Sequence, residues 1–147
     1  MPLSKSELAV LIPHAGAMCL LDSVQSWDDT RIACTAVSHR DPANPLRSRE
    51  RLHALCGVEY AAQAMAVHGA LLKGEQEPTP GFLAAVRDLS WSVERLDQVE
   101  SPLRVEAERL IGDDRSVLYA FTVSADQQTL LAGRASIFFL PQQDSLS

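Results

Sequence analysis

Residues 55–72, LCGVEYAAQAMAVHGALL, decide the fold. They carry one formal charge, Glu59, among alanines and aliphatics, with small or apolar residues at every helical position. A helix of that kind has no face suited to water and is enclosed by the rest of its protein on most sides. Membrane burial is disfavoured, because His53, Glu59, Gln63 and His68 interrupt the run and so much alanine lowers its hydrophobicity. The lone carboxylate is the anomaly. Buried without a partner it would be expensive, so it must hold a proton, find a hydrogen bond or be kept for chemistry.

The flanks show what encloses the helix. Upstream, SKSELAVLI has Ser4 and Ser6 as N-cap candidates and Glu7 in the first turn, which predicts a short helix ending before Pro13. AMCLLDSVQSW and TRIACTAVS then read as two strands joined at Asp28–Asp29. HRDPANPLRSRER, residues 39–51, reads as an irregular loop rather than a linker, since the apolar helix after it cannot fold alone. Downstream of the helix, which runs from about Leu55 to Lys73, come the turn KGEQEPTPG and four strand candidates: FLAAVRDLSWSVERL, PLRVEAERLIG, SVLYAFTVSA and LLAGRASIFFL. Alternation is clearest where Leu103, Val105 and Ala107 interleave with Arg104, Glu106 and Glu108, the mark of a sheet with one solvated face. GDD at 112–114 and ADQQ at 125–128 make hairpin turns. There is no internal repeat. The expected architecture is α+β, one domain over residues 1–147, with an antiparallel sheet of about five to six strands wrapped around one long helix.

Composition narrows the partners. The 147 residues carry a net charge of −6, which argues against nucleic acid, because phosphate binding needs a basic face. An acidic protein partner would need a local basic patch instead, and Arg40, Arg47, Arg49 and Arg51 in the loop before the helix are the candidates, against the plainer reading of a solvated charge run. Cys19, Cys34 and Cys56 are odd in number and lack metal-ligand spacing, so neither disulfides nor a zinc site is expected. They read as core residues of a cytoplasmic protein, with Cys56 near the helix start a minor nucleophile candidate. No long apolar run follows Lys5, so a signal peptide is not expected either.

The element order and the local motifs resemble the hotdog-fold dehydratases that act on 3-hydroxyacyl chains carried by acyl carrier protein. LIPHAGAMCLLDSV resembles their opening Leu-x-Pro-His and following strand; GVEYAAQAMA resembles the start of their central helix, an acidic residue followed four positions later by Gln; GFLAAVRDLSW and PLRVEAERL resemble the next strands. The likeness spans nearly the whole chain and is nearest to the divergent subgroup associated with aryl polyene biosynthesis. It departs at one place: where the better-known fatty-acid dehydratases carry Gly-His-Phe-Pro-Gly shortly before the helix, this chain has SHRDPANPL, and His39 stands 20 positions before Glu59.

The resemblance implies a hydro-lyase that converts 3-hydroxyacyl to trans-2-enoyl thioesters without metal or redox cofactor, in a homodimer or a higher homo-oligomer. That chemistry needs a base for the α-proton, an acid for the departing hydroxyl and donors for charge on the thioester oxygen. Glu59 is the acid candidate, against a structural reading as a carboxylate complementing the helix dipole. His14, in the matching opening segment, is the base candidate, with His39 the second choice. Gly57 and Val58 can offer backbone N–H groups at the helix start, and Gly57 close substrate approach. Gln63, at i+4 from Glu59, can hold its carboxyl in one rotamer, and Asn44 is a weaker substrate-binding candidate. His53 and His68 read as structural, and Met18, Trp91, Phe138 and Phe139 as core or tunnel wall. Two other functions fit the same chain: a thioesterase in which Glu59 activates water, and a non-catalytic acyl-binding or partner subunit of a dehydratase.

Overall fold

Strand alternation becomes the sheet. In β5 (Ser116–Ala125) every second residue from Val117 to Ala125 is buried, and β4 (Leu103–Gly112) begins with the same period at Leu103, Val105 and Ala107. With β1 (Ser23–Trp27), β2 (Arg31–Ala36), β3 (Gly81–Trp91) and β6 (Gln128–Phe139) they form one antiparallel sheet of order β1-β2-β4-β5-β6-β3. This computed structural model describes residues 2–11, 19–74, 81–113 and 115–139. The strand predicted from residue 17 begins at Ser23, and part of the preceding segment lies outside the described residues.

Local chemistry sets the turns. Asp126 and Gln127 take left-handed conformations, φ 51° and 67°, which give the two-residue β5–β6 connection the twist a tight hairpin needs. Asp28 Oδ1 accepts from the N–H groups of Thr30 and Arg31, both at 2.9 Å, closing the β1–β2 turn. In α1 (Lys5–Leu11), Ser4 N–H donates to Glu7 Oε1 at 3.0 Å and Glu7 N–H to Ser4 Oγ at 3.4 Å, a reciprocal cap built from the Ser and Glu seen in the sequence.

The long helix α2 (Gly57–Lys73) lies across the sheet. Beneath it a row of partners runs through four strands, Cys34 to Val105 to Val123 to Leu131, all fully buried. Burying aliphatic side chains of this size contributes about 1.5–3 kcal/mol each, so this row is a main source of cohesion. Two expectations fail at the sheet margin. Trp91 is 48% exposed at the end of edge strand β3, and Phe138 is 54% exposed because its neighbour Ile137 takes the buried side of β6. No helix among the described residues is long and apolar enough to cross a membrane.

Candidate active site at the head of the central helix

Entry into α2 runs through a 3₁₀ turn, Ala54–Cys56, capped by His53 Nδ1, which accepts from Leu55 N–H at 3.0 Å. That turn changes the donors on offer. Gly57 N–H is spent on the carbonyls of Ala54 and Leu55, so it is not the open oxyanion donor the sequence suggested. Nor does Gly57 leave room for substrate. It is buried against β6, where an added Cβ would stand 2.6 Å from Leu131 Cδ2 and 3.5 Å from Val123 Cγ2, so close packing of helix on sheet explains the glycine. Val58, the next residue, is half-buried. Burial pushes the Cys56 thiol up, against the nucleophile reading.

The inward face of α2 is polar in three places, and each is tied down. Tyr60 is fully buried; its hydroxyl receives an N–H of Asn44 at 3.0 Å and lies 2.8 Å from Ser38 Oγ. Ser38 Oγ donates to the Leu20 carbonyl at 2.7 Å, so the Tyr60 proton points to Ser38. Asn44 completes this brace by donating to the Ser38 carbonyl and accepting from Leu46 N–H, both at 2.8 Å. Gln63 Oε1 accepts from Leu20 N–H at 2.8 Å, so α2 holds Leu20 directly at its N–H while Ser38 holds its carbonyl. Further along, His68 faces the Asp28 carbonyl through Nε2 at 2.8 Å. A carbonyl only accepts, so Nε2 carries the hydrogen and Nδ1 accepts from Tyr119 Oη at 2.6 Å. Burial lowers the pKa of His68 and pushes Tyr119 up to about 12.

His39 is buried in the same way. Its Nε2 donates to the Val99 and Ser101 carbonyls at 3.0 and 3.1 Å, and burial lowers its pKa. Nδ1 is buried with no partner among the described residues. The structure thus gives His39 an anchoring contact, joining the loop to the β3–β4 connection. His14 and Met18 lie outside the described residues.

Glu59 lies four residues before Gln63 on the same helical face, at the margin where the covered side of α2 meets solvent. Its residue is exposed in this chain, so the enclosure expected around it is absent: α2 is covered on most sides, but Glu59, Leu72 and Lys73 stay exposed and Ala62, Ala66 and Gly69 half-buried. Along this open side runs a groove of about 110 Å³, walled by Ala62, Ala66, Gly69, Tyr119, Ile137 and Phe139 among others. Its first residue, Ala62, is one turn beyond Glu59, and Lys73 stands at its far end with Nζ 5.0 Å from the centre of the Phe139 ring. The arrangement puts a carboxyl group at the head of an apolar slot.

The family model of the ApeP-like proteins, described as ApeP dehydratase, matches residues 6–146. The chain belongs to the ApeP-like dehydratase family. Among solved structures it is similar to a chain of the dehydratase heterocomplex ApeI:P from Xenorhabdus doucetiae, with a TM-score of 0.81 at 23% identity, covering 92% of this chain and 91% of that one. It is also similar to a mutant thioesterase from Pseudomonas aeruginosa, TM-score 0.67 at 12% identity and 95% of both chains, and to a hypothetical thioesterase protein with coenzyme A from Streptococcus pneumoniae, TM-score 0.58 at 10% identity, 82% of this chain and 87% of that one. At these identities the neighbours establish the hotdog fold, which dehydratases and thioesterases share. No curated protein matches the chain.

Within this family frame, the residues that sequence reasoning passed over are Tyr60, Ser38 and Tyr119. Tyr60 did leave a signal, a hydroxyl in an otherwise apolar run. Its partners Ser38 and Asn44, 22 and 16 positions away, did not.

Proposed function

We propose that this protein dehydrates 3-hydroxyacyl groups carried on acyl carrier protein to trans-2-enoyl groups, in a fatty-acid-like or aryl polyene pathway of the cytoplasm. The observation that carries the reading is the position of Glu59, presented on the open side of α2 one turn ahead of an apolar groove. The groove suits the acyl chain, which places the thioester and β-carbon near the carboxyl. A base, for which we propose His14, removes the α-proton; negative charge builds on the thioester oxygen; the C–O bond breaks as Glu59 gives its proton to the β-hydroxyl, which leaves as water. With Gly57 N–H occupied, Val58 N–H is the oxyanion donor we propose. Gln63 and Tyr60 support the site indirectly, since Gln63 holds Leu20, six residues after His14, and Tyr60 orients the Ser38 hydroxyl that holds its carbonyl.

A carboxyl that keeps its proton needs shelter, and this chain alone leaves Glu59 to solvent. We therefore propose that the open side of α2 is covered by a second hotdog chain, a further copy of this one. The neighbour from a heterocomplex supports an alternative cover, a different dehydratase subunit, and a clean monomer mass by light scattering at micromolar concentration would refute both. Mass spectrometry of a 3-hydroxyacyl carrier protein incubated with the protein tests the reaction: loss of water supports it, release of free acid points to a thioesterase, and no change points to a partner subunit. His14→Ala is expected to lower turnover roughly 100-fold or more without unfolding the protein. If His39→Ala does so and His14→Ala does not, the base is His39.

A further inference from the structure

The loop between β2 and the 3₁₀ turn carries four arginines against two acids in a chain of net charge −6. It is held firmly. Arg47 turns inward, giving Nη2 to the His39 carbonyl and Nη1 to the Glu50 carbonyl, both at 3.2 Å. The Asn44–Tyr60–Ser38 brace fixes the middle of the loop to α2, and Leu52 N–H donates to Asp97 Oδ1 at 2.8 Å. Ser48 and Arg51 pair across a tight turn whose two central residues, Arg49 and Glu50, take φ of 53° and 67°. Two consecutive left-handed residues are what a tight two-residue turn requires, as at Asp126 and Gln127, so the backbone on either side of Arg49 is fixed.

The turn leaves Arg49 and Arg51 exposed, with Arg40 exposed at the other end of the loop. Among the described residues none of these three has an ion pair, whereas Arg31, Arg95, Arg104 and Arg134 each have one. Two large apolar residues flank the arginines in the chain and are also open to solvent, Val37 at 51% and Leu55 at 40%. Unpaired guanidinium groups around exposed aliphatic side chains are the composition of a protein-docking surface that recognises an acidic partner. The loop also packs against the entry to α2. Cys56 Sγ lies 3.8 Å from the Leu46 carbonyl, and Cys56 is three residues before Glu59.

We propose that Arg40, Arg49 and Arg51, with Val37 and Leu55, dock the acidic face of the carrier protein that brings the acyl group. The inference rests on the carrier-borne substrate of the proposed function. A carrier seated there lies on the loop that leads directly into the first turn of α2, which carries Glu59. Net negative charge over the rest of the chain disfavours other seats.

The test compares one 3-hydroxyacyl group on two supports, carrier protein and free pantetheine, for wild type, Arg49→Glu/Arg51→Glu and Arg49→Lys/Arg51→Lys. Charge reversal is expected to raise KM for the carrier-borne substrate by roughly 10-fold or more, leaving kcat and the pantetheine substrate unchanged, while the lysine variant stays near wild type. Unchanged KM, or an equal loss on both supports, overturns docking at this loop. Calorimetry with holo acyl carrier protein keeps the test independent of the reaction: if neither substrate is dehydrated, the proposed activity fails, yet a Kd that weakens on charge reversal and with added salt still supports docking. A Kd unmoved by either overturns it. So does binding to phosphatidylserine vesicles that charge reversal abolishes while carrier affinity stays the same.

Discussion

The two sides of α2 are built from similar residues to opposite ends. On the inward side Tyr60 and His68 are buried, with Gln63 buried at the margin one turn beyond Glu59, and each has a hydrogen-bond partner fixed by the fold. On the open side Glu59 meets solvent, and an added Cβ at Gly69 would find none of the described residues within 4 Å outside its own helix backbone. Polar groups on the first side are explained by the protein's own architecture. On the second, Glu59 has no hydrogen bond or ion pair among the described residues, so it is the one to assign to substrate or partner.

The sharpest way to break this contrast is Glu59→Gln, which keeps size and hydrogen bonding but removes the transferable proton. Turnover is expected to fall by about 100-fold to 10,000-fold while the thermal midpoint barely moves. An active variant would leave Glu59 as a helix-start carboxylate, worth at most about 1 kcal/mol.

Tyr60→Phe, one position away, should behave in the reverse manner. Removing the hydroxyl strands a buried N–H of Asn44 and leaves Ser38 without its donor, at a cost of about 1–3 kcal/mol by chemical denaturation. Turnover per folded molecule should drop much less than in Glu59→Gln. If the two variants lose rate equally at unchanged stability, the division between the two sides of α2 does not hold.

That division also marks how much was legible in the sequence. Strand order and alternation were readable because Leu103, Val105 and Ala107 face one way over consecutive turns of a simple period, and the α2 enclosure because apolar residues recur on nearly every face. What escaped depends on contacts far apart in the chain. Gly57 looked like a site for substrate approach, but its reason is Leu131, 74 positions away. The 3₁₀ turn that uses its N–H has no strong residue signature, and the open side of α2 could not be seen because Ala62, Ala66 and Gly69 are compatible with burial or exposure alike.

Acid should expose the inward side. His39 and His68 are buried neutral, and burial lowers both pKa values below the ordinary 6.5. Protonation then favours the unfolded chain: stability is complete above about pH 6.5 and declines as pH falls through it, until the folded-state pKa values are passed. Urea midpoints measured from pH 8 to pH 5 should show this decline, and His68→Gln should make it shallower. A flat profile would mean that folding lowers the pKa of neither histidine.

Gly69→Ala is the smallest change and the cleanest probe of the open side. Glycine inside a helix costs roughly 0.5–1 kcal/mol relative to alanine, and the new methyl group would meet none of the described residues within 4 Å outside its own helix backbone. Thermal stability should therefore rise by a few degrees. Because Gly69 walls the groove, the same methyl group should weaken turnover of long acyl chains more than short ones. A fall in the midpoint, accompanied by a smaller mass in light scattering, would show that a second chain packs directly on Gly69, and the empty space above it would then belong to the subunit interface rather than to the acyl chain.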